Sequence, residues 1–247
     1  MFGNLPFSAG QGGGDQLVSK AAKGAISALL KQTDALEVNV RAEPVAKLLQ
    51  GSVDGFDFIG NGLKMHSGLQ VEGMEMYVQA VAIDFGAIFK GQVKLRQPTQ
   101  ASMRIVLTEE DLTVSFNTPF LVEKLQTLQH QGESLNFVKT QITVNDDQSM
   151  RMQSQVRPGE AAEPVDVDIT ARLEVKDRRQ IQFVEPSYGG DDQAVALGKV
   201  LTDHVNGLLD LDQFALEGMQ LRVDRLRLRD KKMTLYGNAN IEKFPQR

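Results

Sequence analysis

The chain of 247 residues has no cysteine and no tryptophan, only three histidines, and aromatics at 6%. Without cysteine there are no structural disulfides and no thiolate metal sites, which fits a reducing compartment. Any zinc site would need His66, His130 and His204 with carboxylates, and the three histidines fall in different elements with no H-x-x-x-H spacing. A long apolar run is also missing. The longest, residues 78–89, is too short to span a bilayer and is broken by Gln79 and Asp84. The start, Met1-Phe2-Gly3-Asn4-Leu5-Pro6-Phe7, has no basic region followed by an apolar core. As it stands, the chain is expected to be cytoplasmic and soluble, at most peripheral to a membrane. A formal charge of −5 argues against a general nucleic-acid binder.

What is present is hydrophobic periodicity. Residues 1–14, ending Gln11-Gly12-Gly13-Gly14, read as a flexible arm before a domain over 15–247. Those glycines lack the preceding strand and the Gly-Lys-Ser/Thr ending of a phosphate loop. Asp15 is read as the cap of a long helix to about Gln32, with Val18, Ala22, Ala25, Ile26 and Leu29 on one face. The period then changes to two. Leu36, Val38 and Val40 predict a half-buried strand, and a helical turn is expected at residues 44–49. A run of short strands follows: Phe56/Phe58, Leu63/Met65, Leu69/Val71, Met74/Met76/Val78 and Val81/Ile83/Phe85, broken by glycines. The parity switch between Val78 and Val81 predicts a bulge.

Met103, Ile105 and Leu107 predict a strand ending in Thr108-Glu109-Glu110-Asp111, a capping-box pattern; Thr118-Pro119 opens another short helix. More strands follow to Phe183. A second long helix is expected over 192–209, then strands at Phe214/Leu216, Met219/Leu221/Val223, Leu226/Leu228 and Met233/Leu235. Leu69, Val71, Met76 and Val78 match Leu226, Leu228, Met233 and Leu235 at an offset of 157, the pattern of an internal repeat. The expected fold is α+β: a large, curved, mainly antiparallel sheet wrapped around the long N-terminal helix, with the second helix against it.

No catalytic constellation emerges. His204 sits between Leu201 and Leu208 and reads as a hydrogen-bonded helix-edge residue. The clusters Glu109-Glu110-Asp111, Asp146-Asp147 and Asp191-Asp192 fall at turns or helix starts, where they cap. A hydrolase would need His66 or His204 to meet a carboxylate in a pocket. Two features point instead to binding. Ile26, Leu29, Phe56, Phe58, Met74, Met76 and Phe85 supply apolar side chains, the methionines flexible enough for variable acyl chains; ordinary core packing is the alternative for each. Residues 221–232 carry six cations against two anions, a local +4. Arg225, Arg227 and Arg229 alternate with Leu226 and Leu228, so a strand there has a basic outer face opposite an apolar inner one. Such a face suits phosphate headgroups or an anionic membrane, and equally a solvated surface.

Residues 53–112 carry a resemblance. The pieces are Gly62-Leu63-Lys64-Met65, Leu69-Gln70-Val71-Glu72, Val81-Ala82-Ile83-Asp84-Phe85 and Gly91-Gln92-Val93-Lys94-Leu95, then Gln97-Pro98-Thr99-Gln100-Ala101 and Leu107-Thr108-Glu109-Glu110-Asp111-Leu112. The chain resembles the LmeA-like phospholipid-binding family, and its cyanobacterial members most. The resemblance implies a tubular lipid-binding-like fold enclosing a hydrophobic cavity, a phospholipid or other acyl lipid as partner, no cofactor and no catalytic residues. Lipid binding or transfer is the leading expectation; the alternative is a scaffold docking on a membrane protein complex through the basic strand.

Overall fold

The computed structural model describes residues 13–44, 46–88, 94–130, 132–159, 163–215 and 217–243. In chain order the first half holds α1 (Gly13–Ser27), β1 (Leu30–Gln32), β2 (Ala35–Arg41), α2 (Ala46–Leu49), β3 (Ser52–Met65), β4 (Gln70–Ala82), α3 (Phe85–Ile88) and β5 (Thr99–Thr108). Next come α4 (Glu109–Phe116), α5 (Pro119–Leu125), β6 (Gln129–His130), β7 (Glu133–Val144), β8 (Ser149–Pro158), β9 (Val165–Lys176) and β10 (Gln180–Gly189). The chain closes with α6 (Asp192–Leu208), a 3-10 turn (Leu211–Gln213), β11 (Met219–Arg229) and β12 (Lys232–Ile241).

The strands form two antiparallel sheets. A seven-stranded sheet runs β1-β3-β4-β5-β12-β11, with β2 also paired to β3. It curls into a half-barrel, so the expected curvature is present. A five-stranded sheet runs β10-β9-β8-β7-β6. The C-terminal hairpin closes the first sheet through β12 on β5, from Lys232↔Thr108 to Ile241↔Thr99. Asp230 and Lys231 turn that hairpin with φ of 53° and 58°, the two-residue geometry matching strand twist. One hydrophobic core joins buried residues of both sheets and of α6, from Phe58 and Met103 to Ile169 and Leu201.

Several expectations change. The N-terminal helix is shorter than predicted. It begins at Gly13, so Asp15 lies inside it, and it ends at Ser27 because Leu30 leaves to pair with Met65. An apolar pair such as Leu29-Leu30 suits either period. Helix α1 packs chiefly on β2, where the Val40 amide donates to Ser19 Oγ at 2.9 Å. That bond satisfies an outward amide of the edge strand.

Gly55, Gly60, Gly62 and Gly73 lie within strands rather than ending them, and Gly68 turns β3 into β4. The predicted pieces from Phe56 to Val81 therefore merge into two strands, while Phe85 begins α3 instead of closing a strand. Gly62 has φ 57°, and Ala80 has φ 54° midway between buried Val78 and Val81, which explains the parity switch without a register shift. The offset-157 match is not structural: Leu69 to Val78 belong mostly to one uninterrupted strand, whereas Leu226 to Leu235 span a hairpin. Phe214 follows the 3-10 turn instead of forming a strand, and Leu216 lies outside the described residues.

Other elements stand as read. Thr108 Oγ1 accepts from Asp111 N at 3.0 Å, and Asp111 Oδ2 accepts from Thr108 N at 2.8 Å, closing the capping box of α4. Thr118 caps α5 with Pro119 following. Asp191 Oδ1 accepts from Ala194 N at 2.9 Å and starts α6, whose Ala194, Leu197, Leu201 and Val205 are buried and which packs on β9 and β10.

Helix α4 ties the two sheets together. It leaves β5 of the first sheet and lies along the edge of β7 in the second. Glu109 Oε1 accepts from Val144 N at 2.7 Å, and Thr113 Oγ1 accepts from Ile142 N at 3.0 Å. Asn117 Oδ1 accepts from Thr140 N at 2.9 Å while its Nδ2 donates to Thr140 O at 2.6 Å. Four helical residues rise about 6 Å and two strand residues about 6.8 Å. Side chains every fourth residue on α4 therefore meet outward backbone groups every second residue on β7, and the helix serves as a surrogate strand.

Candidate functional site

The cross-strand register determines which predicted side chains share a face. In antiparallel pairs, residues directly opposite point to the same side of the sheet. One row runs Val38↔Phe58↔Met76↔Met103, and the next runs Leu36↔Gly60↔Met74↔Ile105↔Leu235↔Leu226. Phe56 joins the same face opposite Val40 and Val78. Four predicted lining residues, Phe56, Phe58, Met74 and Met76, are thus brought together on the inner side of the half-barrel. Phe56 and Phe58 are buried at 8% and 5%, whereas Met74 and Met76 are only half-buried. Gly60 makes room in this face: a Cβ there would lie 2.7 Å from Leu63 Cδ2 and 3.1 Å from Phe58 Cζ.

The remaining lining candidates sit elsewhere. Ile26, near the end of α1, is half-buried against the core. Leu29 falls in the turn after the helix, its amide donating to Ile26 O at 3.0 Å. Phe85 begins α3, but its side chain lies outside the described residues. Sequence reasoning passed over Met103 and Ile105 as site residues; their alternation in β5 was the available signal, and the pairing with β4 gives it meaning.

The arginines of β11 point the other way. Arg225 pairs with Tyr236, which pairs with Arg104, which pairs with Glu75. The Arg225 guanidinium lies 4.4 Å from the Tyr236 ring centroid, and Arg104 Nη1 is 2.6 Å from Glu75 Oε1. Arg225, Arg227 and Arg229 are exposed on this outer face, opposite half-buried Leu226 and buried Leu228. Arg229 pairs with Asp230 at 3.3 Å; Arg227 has no carboxylate partner among the described residues. Partial burial, with Glu75 and Asp57 nearby, pushes the Tyr77 hydroxyl pKa up, so this face keeps a neutral phenol there. Arg222 differs from its neighbours: its Nη1 is 2.8 Å from Asp212 Oδ1, which fastens β11 to the 3-10 turn. Phe56, Phe58, Met74 and Met76 therefore lie on the opposite face of one sheet from the β11 arginines, and β11 is one of its edge strands.

An open groove of about 590 Å³ lies at one end of the seven-stranded sheet, not between that sheet and α1. It is bounded by the ends of β3 and β4, the start of α4, and the β11–β12 turn. Lys64, Lys231 and Lys232 stand among the carboxylates of Asp34, Glu72, Glu109, Glu110, Asp111 and Asp230, so the lining is acidic on balance, while Leu63 and Val71 reach it from the core.

Two of the histidines lie against backbone carbonyls. His204 Nε2 is 3.2 Å from Lys124 O, the helix-edge bond expected of it, and His66 Nε2 is 3.4 Å from Ala28 O. Among the described residues no group of histidines and acids is arranged to hold a metal ion. No described helix is long and apolar enough to cross a membrane.

Neither the curated proteins nor the solved structures contain a significant match to the chain. The family model described as LmeA-like phospholipid-binding matches residues 9–238, nearly the whole sequence. That match identifies the chain as a member of the LmeA-like phospholipid-binding family.

Proposed function

We infer that this protein, acting as one domain over residues 15–247, binds phospholipid without transforming it and carries it at the surface of an anionic membrane. The observation that carries the reading is the half-buried pair Met74 and Met76 on the same face as Phe56 and Phe58. Flexible thioethers left partly open beside buried aromatics accommodate acyl chains of differing length. A half-barrel is the open counterpart of a tubular lipid-binding domain, with Ile26, Leu29 and Phe85 extending its lining. Arg225, Arg227 and Arg229 face away from that surface, so their role on this reading is to meet membrane headgroups, not the phosphate of the lipid inside. Each cation near an anionic surface contributes about 1 kcal/mol.

Native mass spectrometry of gently purified protein tests the reading. Bound phospholipid is expected, and Met74→Lys should abolish it by placing a charge on the apolar face. Delipidated protein that takes up no phospholipid from vesicles refutes it. The exposed position of β11 at the sheet edge favours a second reading, a scaffold docked on a membrane protein complex. Arg225→Glu with Arg227→Glu separates the two: loss of pelleting with anionic vesicles supports the membrane role, whereas loss of a stoichiometric protein partner with vesicle binding intact supports the scaffold.

A further inference from the structure

The groove at the end of the seven-stranded sheet joins two surfaces that the sheet otherwise keeps apart. Its Lys231 and Lys232 belong to the same hairpin as the outward arginines, and its Leu63 and Val71 belong to the core. Leu63 also leans into the apolar face, since its Cδ2 fills the space a Cβ at Gly60 would take. A molecule seated here therefore touches basic hairpin and apolar interior at once.

The charges in the groove differ in availability, and its carboxylates outnumber its lysines; Asp34 is exposed beside Gly62. Glu109 is engaged by the Val144 amide and Asp111 by the Thr108 cap. Asp230 is paired with Arg229 at 3.3 Å. Lys64 and Lys231 have no carboxylate partner among the described residues. Lys232 Nζ is 3.7 Å from Glu72 Oε1, with both side chains about half exposed at 45% and 51%. A long, solvated pair of that kind is weak and exchanges readily for a ligand's own charges. Glu110 is exposed at the second position of α4. The groove thus offers three lysines for a phosphate within a lining richer in carboxylates, which favours a ligand that also carries an ammonium over one with a phosphate alone.

We propose that this groove is the headgroup subsite of the bound lipid and selects a zwitterionic, amine-bearing phospholipid. Lys64, Lys231 and Lys232 take the phosphodiester, Glu72 and Glu110 take the ammonium, and the glycerol passes Leu63 and Val71 toward Met74. Charge-assisted hydrogen bonds of this type hold a phosphate with directional donors. The proposal rests on the lipid-binding reading but assigns a different part of the molecule.

The test loads the full-length protein from vesicles of equal phosphatidylethanolamine and phosphatidylglycerol and reads the retained lipids by native mass spectrometry. Wild type should favour the ethanolamine lipid roughly tenfold, the equivalent of one charge-assisted hydrogen bond. Glu72→Gln with Glu110→Gln should erase that preference while retaining uptake, and Lys64→Ala with Lys231→Ala should weaken retention of both lipids roughly tenfold or more. These side chains lie at the surface, and circular dichroism checks that each variant folds. Equal retention of the two lipids by wild type, or groove variants that behave as wild type, overturns the headgroup assignment and leaves lipid binding standing. A wild-type protein that takes up neither lipid overturns the lipid reading itself.

Discussion

Replacing Thr113 by valine tests whether α4 acts as a surrogate strand for β7. The change is nearly isosteric and removes one hydroxyl. Thr113 Oγ1 accepts from the Ile142 amide at 3.0 Å and donates to the Ile142 carbonyl at 3.3 Å. Ile142 is 2% exposed, so little water reaches the groups left behind. An orphaned buried donor costs about 1–3 kcal/mol, and the longer bond to the carbonyl adds less. Thr113→Val should therefore destabilise the protein by about 2–3 kcal/mol. Thr113→Ser keeps the hydroxyl and loses one methyl, so its cost should stay under about 1 kcal/mol. Urea denaturation gives both values, and hydrogen exchange locates the effect, since the Ile142 amide should lose protection in the valine variant alone. A valine variant within about 0.5 kcal/mol of wild type, with Ile142 still protected, would falsify the reasoning. The β7 edge would then be held by packing and not by the helix side chains.

Two further predictions concern the apolar face and the second sheet. Gly60→Ala places a methyl 2.7 Å from Leu63 Cδ2 and should cost about 1–3 kcal/mol in thermal or urea unfolding. Gly73→Ala meets nothing nearer than Asn61 Oδ1 at 3.6 Å and should be neutral or stabilising by under about 1 kcal/mol; equal effects at both sites would contradict the face assignment. Asp168 is gripped through Arg151 Nε at 2.8 and 3.2 Å, and this hydrogen bonding holds its carboxyl below the ordinary carboxylate value. A depressed folded-state value means the contribution is complete above the unfolded value of about 3.9 and is lost as pH falls through the lower one. Asp168→Asn should therefore cost more stability at pH ~6 than at pH ~2, measured by urea unfolding at both; an equal cost at the two pH values contradicts the linkage.

The elements whose determinants are local were legible in the sequence. The Thr108–Asp111 box, the Thr118-Pro119 start and the period of residues 192–208 each rest on neighbours within a turn or two, and each is found in place. Even the Arg225/Leu226/Arg227/Leu228 alternation gave the two faces of β11 correctly. What failed depended on partners distant in sequence. Leu29 and Leu30 continue a helical stripe, but pairing of Leu30 with Met65 ends the helix. Gly55, Gly60 and Gly62 look like interruptions until β2 and β4 are laid alongside β3. Glu109, Thr113 and Asn117 are ordinary polar helix residues until β7 supplies three amides at matching spacing. Nothing in residues 109–117 by themselves names that strand.

The separation of the two faces also constrains how the proposed lipid carrying would have to work. The pairing Arg225↔Tyr236 on one side and Leu226↔Leu235 on the other keeps the outer cations away from the inner apolar surface along all of β11. Three cations contribute about 3 kcal/mol toward an anionic membrane, a hold that salt at physiological strength weakens. Each acyl methylene buried inside contributes about 0.8 kcal/mol, so ten of them contribute about 8 kcal/mol before the costs of ordering. Docking is then the weaker and more reversible of the two contacts, and lipid retention the stronger. On the proposed reading, a headgroup groove bounded by Lys231 and Lys232 would sit where that difference is useful, with the hairpin against the membrane and its turn at the groove. Raising ionic strength should on this account release the protein from vesicles well before it releases lipid from the protein. The reverse order of release would mean that the cations of β11 and the bound lipid share one site, which the opposite directions of Arg225 and Leu226 forbid.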